Sequence, residues 1–460
     1  MTGSQAGHGC PGARRVAVTA AAVLSPLADE LDAFTAALLD GRSAVELPAD
    51  GDGTAAGGEE PLPAATLTGF RLDEWSRRHL ADRPETATAL RRVVGRAALP
   101  ARSAACVALR AAVDAGLPPA PYGPGMGERT SLIVAGSNLA LAHQAETVLG
   151  HQRAPGRLRA SYALTHMDVD VVGAVSELTG ATAEGWTVGG ASASGTLALI
   201  QGARAVATGW AERALVVAPA AELSPVEAEA FRRTGAMAHE RFRDRPERMC
   251  RPFEQDRQGF VRGEAAAAVV LESTGAAAAR GAEVLAEVTG QGQRLDARRG
   301  TEPDTEGQRA AMRAALESSG LRPDGIDYVN AHATGSVLGD QAEAEALREV
   351  FGDGGGPLVN STKPLTGHCL SAAGLVEAVA VIAQLRAGAC HPNPQFADPL
   401  EPRPALVGTR CVRRPLRHAL SNSFAFGGIN ASVVLRLPDG STGTGTRTGT
   451  RTGIQHPQRH

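Results

Sequence analysis

Lysine is nearly absent from this chain. Of its 46 basic residues only Lys363 is a lysine, and arginine serves everywhere else. A bias of that strength marks position 363 as a place that asks for a compact ammonium on a thin stem rather than a planar guanidinium. Metal-ligand cysteine spacing is missing as well: the six cysteines (Cys10, Cys106, Cys250, Cys369, Cys390, Cys411) include no CxxC pair. Their scatter argues against a zinc module or a disulfide framework and leaves reduced thiols as the expectation. No uninterrupted apolar run approaches the roughly 18 residues of a membrane-spanning helix. The first residues, MTGSQAGHGCPGARR, lack the apolar core of a signal peptide, so a cytoplasmic protein with no membrane partner is expected. A net charge of −3 supplies none of the basic excess of a nucleic-acid binder.

What is present fits a soluble globular protein. A chain of 460 residues, 43% hydrophobic and 21% charged, suffices for two domains or one large duplicated fold. Strand-like stretches (14–27, 130–137, 213–222, 263–273, 284–293, 327–336) alternate with helical patterns (83–98, 102–116, 306–319, 340–351, 370–388). ALSNSFAFGGINASVVLRL (419–437) closes the pattern with a glycine turn between two strands. The alternation predicts an α/β protein with a mostly parallel sheet in each half. The second half, 279–437, repeats the logic of the first, 14–278. Residues 1–13 and the Thr-Gly-Thr-Arg repeats of 438–460 are expected to be disordered.

Chemistry gathers at four places. In WTVGGASASGTLALIQGARAVA (186–207) a short strand meets Gly189-Gly190 and a small-residue helix, an elbow that would present Ser192 toward the positive end of the helix. His332, in NAHATGS, and His368, in NSTKPLTGH, stand at strand-to-loop and loop-to-helix joints, where neutral imidazoles can donate to one carbonyl oxygen and stabilise an oxyanion. Lys363 lies just before His368, and Glu377 lies in the helix that follows. In SNSFAFGGIN, Phe424 and Phe426 offer an apolar wall or gate, and Gly427 and Gly428 offer backbone N–H groups to a ligand.

Those motifs, with RPFEQDRQGFVRGE (251–264) and VAVTAAAVLSPL, resemble in order and spacing the β-ketoacyl synthases of fatty-acid and polyketide synthesis across residues 14–437. The resemblance implies the thiolase fold, α/β, duplicated in a five-layer αβαβα arrangement, and a homodimer. It implies no cofactor, the substrate arriving on the phosphopantetheine arm of an acyl carrier protein. By motif, His332 and His368 resemble the two catalytic histidines, Lys363 the lysine beside the second, and Glu377 the buried acid. Thr334 and Ser336 resemble hydroxyls that bond the pantetheine amides, and Phe424 and Phe426 the aromatics beside the active site. Arg204, Arg213 and Arg262 are candidate contacts for an acidic carrier protein.

One departure alters the expected chemistry. The family's T-A-C-x-S, with its acyl-accepting cysteine, is here Gly190-Ala191-Ser192-Ala193-Ser194, and Cys250 and Cys369 belong to other motifs. Smaller departures are Ala333 after the first histidine and Ala265 and Ala267 after Glu264. Serine has a far higher pKa than cysteine and needs an adjacent base to act as a nucleophile. Neither histidine has a serine-hydrolase sequence context. Decarboxylation of malonyl thioester needs the histidines but no acyl-cysteine, and VGGASASG resembles the cysteine-to-serine malonyl-carrier-protein decarboxylases of polyketide β-branching cassettes. That subgroup implies a hydroxymethylglutaryl-CoA-synthase-like enzyme downstream. Two alternatives remain: a serine-acylated condensing enzyme or acyltransferase, and a non-catalytic partner like the chain-length subunit of aromatic polyketide synthases.

Overall fold

The computed structural model describes residues 14–47, 62–120, 123–238, 241–352, 356–401 and 404–439. The expected disordered termini, apart from residues 438 and 439, lie outside the described residues. In the first half the main elements run β1 (Val16–Leu24), α1 (Leu99–Asp114), β2 (Thr130–Ala135), α2 (Val169–Thr179), β3 (Gly185–Val188), α3 (Ser194–Thr208), β4 (Arg213–Ala218) and β5 (Ala266–Ser273). The second half runs β6 (Ala286–Leu295), α4 (Thr305–Ser319), β7 (Tyr328–Asn330), α5 (Val337–Phe351), β8 (Leu358–Asn360), α6 (Ala373–Ala387), β9 (His418–Ala425) and β10 (Ile429–Arg436). Element for element, one list repeats the other.

The strand orders repeat as well, β1-β5-β4-β2-β3 against β6-β10-β9-β7-β8, and the two sets join through a short antiparallel contact of Val16–Val18 with Ala286–Val288. In each half two ladders are parallel and two antiparallel, which corrects the expectation of mostly parallel sheets. The reason is local for β9 and β10: they are joined by the tight turn through Gly427 (φ 83°) and Gly428 (φ 70°). Antiparallel neighbours accept so short a connection, whereas parallel ones need a long crossover. The motif DYVNAHATGS yields only a three-residue strand, because the chain leaves β7 at Asn330 to form the loop that carries His332.

Burial separates the layers. All nine residues of β1 are buried, so both faces of its sheet are covered. Val16, Val18, Ala21 and Val23 enter one apolar cluster with α3 and α6, while Ala20, Ala22 and Leu24 enter another with α1 and α2. On β10 the same division places Val433 and Leu435 with the central helices and Val434 with the cluster of α4 and α5. Two helices therefore lie between the sheets and two more cover each outer face, which is the αβαβα arrangement.

The central helix α6 is buried along its length except at Arg386 and Ala387, the signature of a helix hydrophobic all round in the core of a large domain. Leu370–Ala387 is long and apolar enough to cross a membrane, yet 83% of it is buried inside the protein. It crosses α3 where both helices carry glycine. A Cβ at Gly195 would lie 2.4 Å from the Leu375 nitrogen, and one at Gly374 would lie 2.7 Å from the Thr196 nitrogen. This contact brings the N-terminal ends of α3 and α6 to one point, which is where the chemistry sits.

Candidate active site

Each central helix is entered through the same elbow. Before α3, Ala191 takes φ 46° and a 3-10 turn covers Ala191–Ala193; before α6, Leu370 takes φ 51° and a 3-10 turn covers Leu370–Ala372. Left-handed backbone is costly for residues with a Cβ and survives where the surroundings over-determine it. At the first elbow Ser194 Oγ donates to Ala191 O (2.7 Å) and accepts from Gly190 N (2.9 Å), tying the turn. The outcome is that Ser192 stands half-buried at the tip. Its Oγ is 2.8 Å from His368 Nε2, although the two residues are 176 positions apart.

His368 is fixed on both sides of its backbone. Its N–H donates to Val261 O (2.7 Å) and its carbonyl accepts from Gly263 N (2.9 Å). The close approach of those strands leaves no space for a side chain at Gly263, where a Cβ would lie 2.3 Å from Thr366 O. His332 faces His368 edge-on, with ring centroids 5.5 Å apart at 82°. Two buried carboxylates hold its loop. Glu343 accepts the N–H groups of His332 (2.9 Å) and Ala333 (2.7 Å) and the Asn422 amide (3.0 Å), and Asp340 accepts those of Thr334 (3.0 Å) and Gly335 (3.1 Å).

Electrostatics set the protonation states. Burial, with the Lys363 ammonium second, holds both imidazoles well below the usual histidine pKa, and His332 is pushed further by His368. Both are therefore neutral near pH 7 and each keeps one N–H. Burial raises Glu343 to about 7 and Asp340 to about 6, against the hydrogen bonds they accept. Lys363 is buried and pairs with Glu377, Nζ to Oε1 at 2.5 Å. This ion pair lies behind the histidines, and neither residue lines the cavity.

The cavity has a volume of about 430 Å³, and Ser192, His332, His368, Thr334, Ser336, Phe424 and Phe426 all line it. Gly427 and Gly428 do not; the Gly427 N–H is already given to Gly300 O at 2.8 Å. Thr334 Oγ1 accepts from Ser336 N (3.2 Å), so the two expected pantetheine contacts form one turn of the cavity lining. Arg213 is paired with Glu272, and Arg262 is buried beside Glu264, so neither offers the free charge expected for a carrier contact. Arg204 remains on the surface, bonded to Gln291.

Sequence reasoning missed Phe231 and Phe260. Their rings complete an arc in which Phe424 lies against His332 (6.2 Å), His368 against Phe260 (5.3 Å), Phe260 against Phe231 (5.6 Å) and Phe231 against Phe426 (6.2 Å). Asp340 and Glu343 were missed too, though their i, i+3 spacing just after the NAHATGS motif puts both on one helix face and was a usable signal.

Comparison with known proteins decides the family. Residues 13–277 match the N-terminal domain of the β-ketoacyl synthases and residues 285–397 their C-terminal domain. The chain belongs to the β-ketoacyl synthase family. Over 308 residues, 67% of this chain and 74% of the relative, it is 37% identical to the polyketide biosynthesis malonyl-ACP decarboxylase PksF of Bacillus subtilis (strain 168). It is 38% identical to the mitochondrial 3-oxoacyl-[acyl-carrier-protein] synthase of Arabidopsis thaliana over 53% of this chain and 54% of that protein. Among solved structures, the ishigamide ketosynthase/chain length factor aligns with a TM-score of 0.79 at 28% identity, covering 92% of this chain and 99% of that one. A β-ketoacyl synthase from Burkholderia phymatum STM815 aligns with a TM-score of 0.77, also at 28% identity and with the same coverage. The chain thus has the thiolase fold of its neighbours, and its cavity is lined by two histidines and a serine.

Proposed function

We propose that the protein decarboxylates malonyl-acyl-carrier-protein to acetyl-acyl-carrier-protein in polyketide β-branching, delivering acetyl groups to a hydroxymethylglutaryl-CoA-synthase-like enzyme. The observation that carries this reading is the pair of neutral histidines around a cavity whose tip residue is Ser192 instead of cysteine. Two N–H donors on one carbonyl oxygen stabilise the enolate left when CO2 departs, and the aromatic arc gives the leaving carboxylate an apolar wall. With no acyl-cysteine to attack, the enolate is protonated. The identity to PksF supports this reading.

A homodimer and an acidic carrier protein complete the proposal. Six arginines (Arg91, Arg92, Arg96, Arg153, Arg157, Arg159), of which Arg92 pairs with Glu177, line an open basin of about 1040 Å³ with Asp170 as its one acidic lining residue among the described residues. Charge of that sign complements an acidic partner.

A second reading keeps one specific support. The 2.8 Å contact of Ser192 with His368 supplies the base that the sequence context lacked, and a serine beside a base can be acylated. The chain-length-factor reading is weaker, because both histidines are retained. Malonyl carrier protein incubated with the enzyme and weighed by mass spectrometry separates the three. Acetyl carrier protein supports decarboxylation, an acyl adduct on Ser192 supports the second reading, and activity equal to that of a His332→Ala, His368→Ala double variant supports the third.

A further inference from the structure

We infer that the Ser192 hydroxyl is the general acid that quenches the enolate, delivering to its carbon the proton that completes the acetyl methyl group. The inference rests on the decarboxylase reading and goes beyond it, since expulsion of CO2 requires only the two oxyanion donors.

The geometry follows from His368. Its backbone is held by Val261 and Gly263, and its Nδ1 is buried without a hydrogen-bond partner. Nε2 is therefore the working atom, and to donate to an oxyanion it must carry the ring's one hydrogen. In that tautomer Ser192 Oγ accepts from His368, which leaves the serine's own proton free. Among the described residues that hydroxyl has no other hydrogen-bond partner. A thioester oxygen held by His368 Nε2 shares its donor with Ser192 Oγ, and the enolate carbon is two bonds from that oxygen. The acidic hydrogen and the basic carbon thus meet around one nitrogen.

Ser371 Oγ also lines the cavity without a partner, but among the described residues no imidazole hydrogen-bonds to it as His368 does to Ser192. Phe231, Phe260, Phe424 and Phe426 carry no exchangeable proton, and Asp340 and Glu343 are turned toward the backbone N–H groups of the His332 loop. In the step itself the Ser192 O–H bond breaks and a C–H bond forms. The alkoxide then takes a proton from a water entering the open cavity, and the hydroxide left combines with CO2 as bicarbonate. The sum is malonyl thioester carboxylate plus water giving acetyl thioester plus bicarbonate. Serine at the elbow tip is then a replacement in kind: a family member with cysteine there presents an acyl carbon to the enolate, and this chain presents a proton.

The test compares wild type, Ser192→Ala and Ser192→Thr on malonyl carrier protein in equal parts H2O and D2O containing 13C-labelled CO2. Mass spectrometry reads the H:D ratio of the new methyl group and the label in unreacted malonyl. Wild type should give one fixed ratio and unlabelled malonyl. Ser192→Ala should form acetyl about 10²-fold more slowly, with a shifted ratio and with label entering malonyl as the longer-lived enolate recaptures CO2. Ser192→Thr, which keeps the hydroxyl, should return both readouts toward wild type. The inference is overturned if Ser192→Ala keeps the wild-type rate and ratio, if it slows without label exchange, or if Ser192→Thr behaves like Ser192→Ala. Wild type that forms no acetyl at all would instead remove the decarboxylase reading beneath it.

Discussion

The two elbows are built alike and used differently. Ser192 follows the strained Ala191, and Ser371 follows the equally strained Leu370. Three residues beyond each serine stands the glycine, Gly195 or Gly374, that lets α3 and α6 touch. Three residues before Ser371 stands His368, where the first elbow has Gly189. One elbow thus supplies the tip residue and the other supplies the imidazole that meets it. Ser192 Oγ has that imidazole as its partner, whereas Ser371 Oγ is buried, lines the same cavity and has none. A duplicated fold can place one device twice and load each copy with a different part of a single site.

The largest expected effect belongs to the second elbow's own support. Lys363→Met would leave Glu377 as an unpaired buried carboxylate, and thermal or denaturant unfolding should show a loss of about 3–5 kcal/mol; a negligible change would mean that water reaches Glu377. Next come the donors. His332→Ala and His368→Ala should each lower the rate of acetyl formation by about 10²–10³. The histidines themselves should not titrate as pH falls through the ordinary histidine range, because burial and Lys363 lower both pKa values, so a break in activity near pH 6–7 is assigned to Asp340 and Glu343, raised by burial to about 6 and about 7. A break near the free-imidazole value that persists in the Glu343→Gln and Asp340→Asn variants would contradict neutral, buried donors.

The helix crossing gives a symmetric test of intermediate size. Gly195→Ala and Gly374→Ala each overpack the contact and should cost about 1–3 kcal/mol. Similar losses in thermal unfolding would support equivalent elbows, and a loss confined to one would break the comparison. The smallest effect is expected at Ser371. Ser371→Ala removes a buried hydroxyl with no partner, so stability should hold or rise by about 1 kcal/mol while acetyl formation stays near wild type. A large loss of activity there would show that both tips work.

Much of this arrangement was legible from residues alone. The alternation of strands and helices, the repeat of the first half in the second, the two histidines and the serine at the elbow all leave local patterns. Ladder direction did not, since whether β9 and β10 run antiparallel depends on where the chain returns after a tight turn rather than on apolar periodicity. The Ser192–His368 contact did not either: it is set by where two helices cross, which brings together residues 176 positions apart. Phe231 and Phe260 join the site only by packing. Gly427 and Gly428 looked like open N–H groups because the sequence cannot show that Gly300 already accepts one of them.

The most direct test of the central claim is the mass of malonyl carrier protein after incubation with catalytic amounts of the enzyme. Serine at the tip with both donors intact predicts time-dependent loss of CO2 to give acetyl carrier protein, with the enzyme's own mass unchanged. Malonyl carrier protein that persists unchanged, or an enzyme that gains a stable acyl group on Ser192, would contradict it.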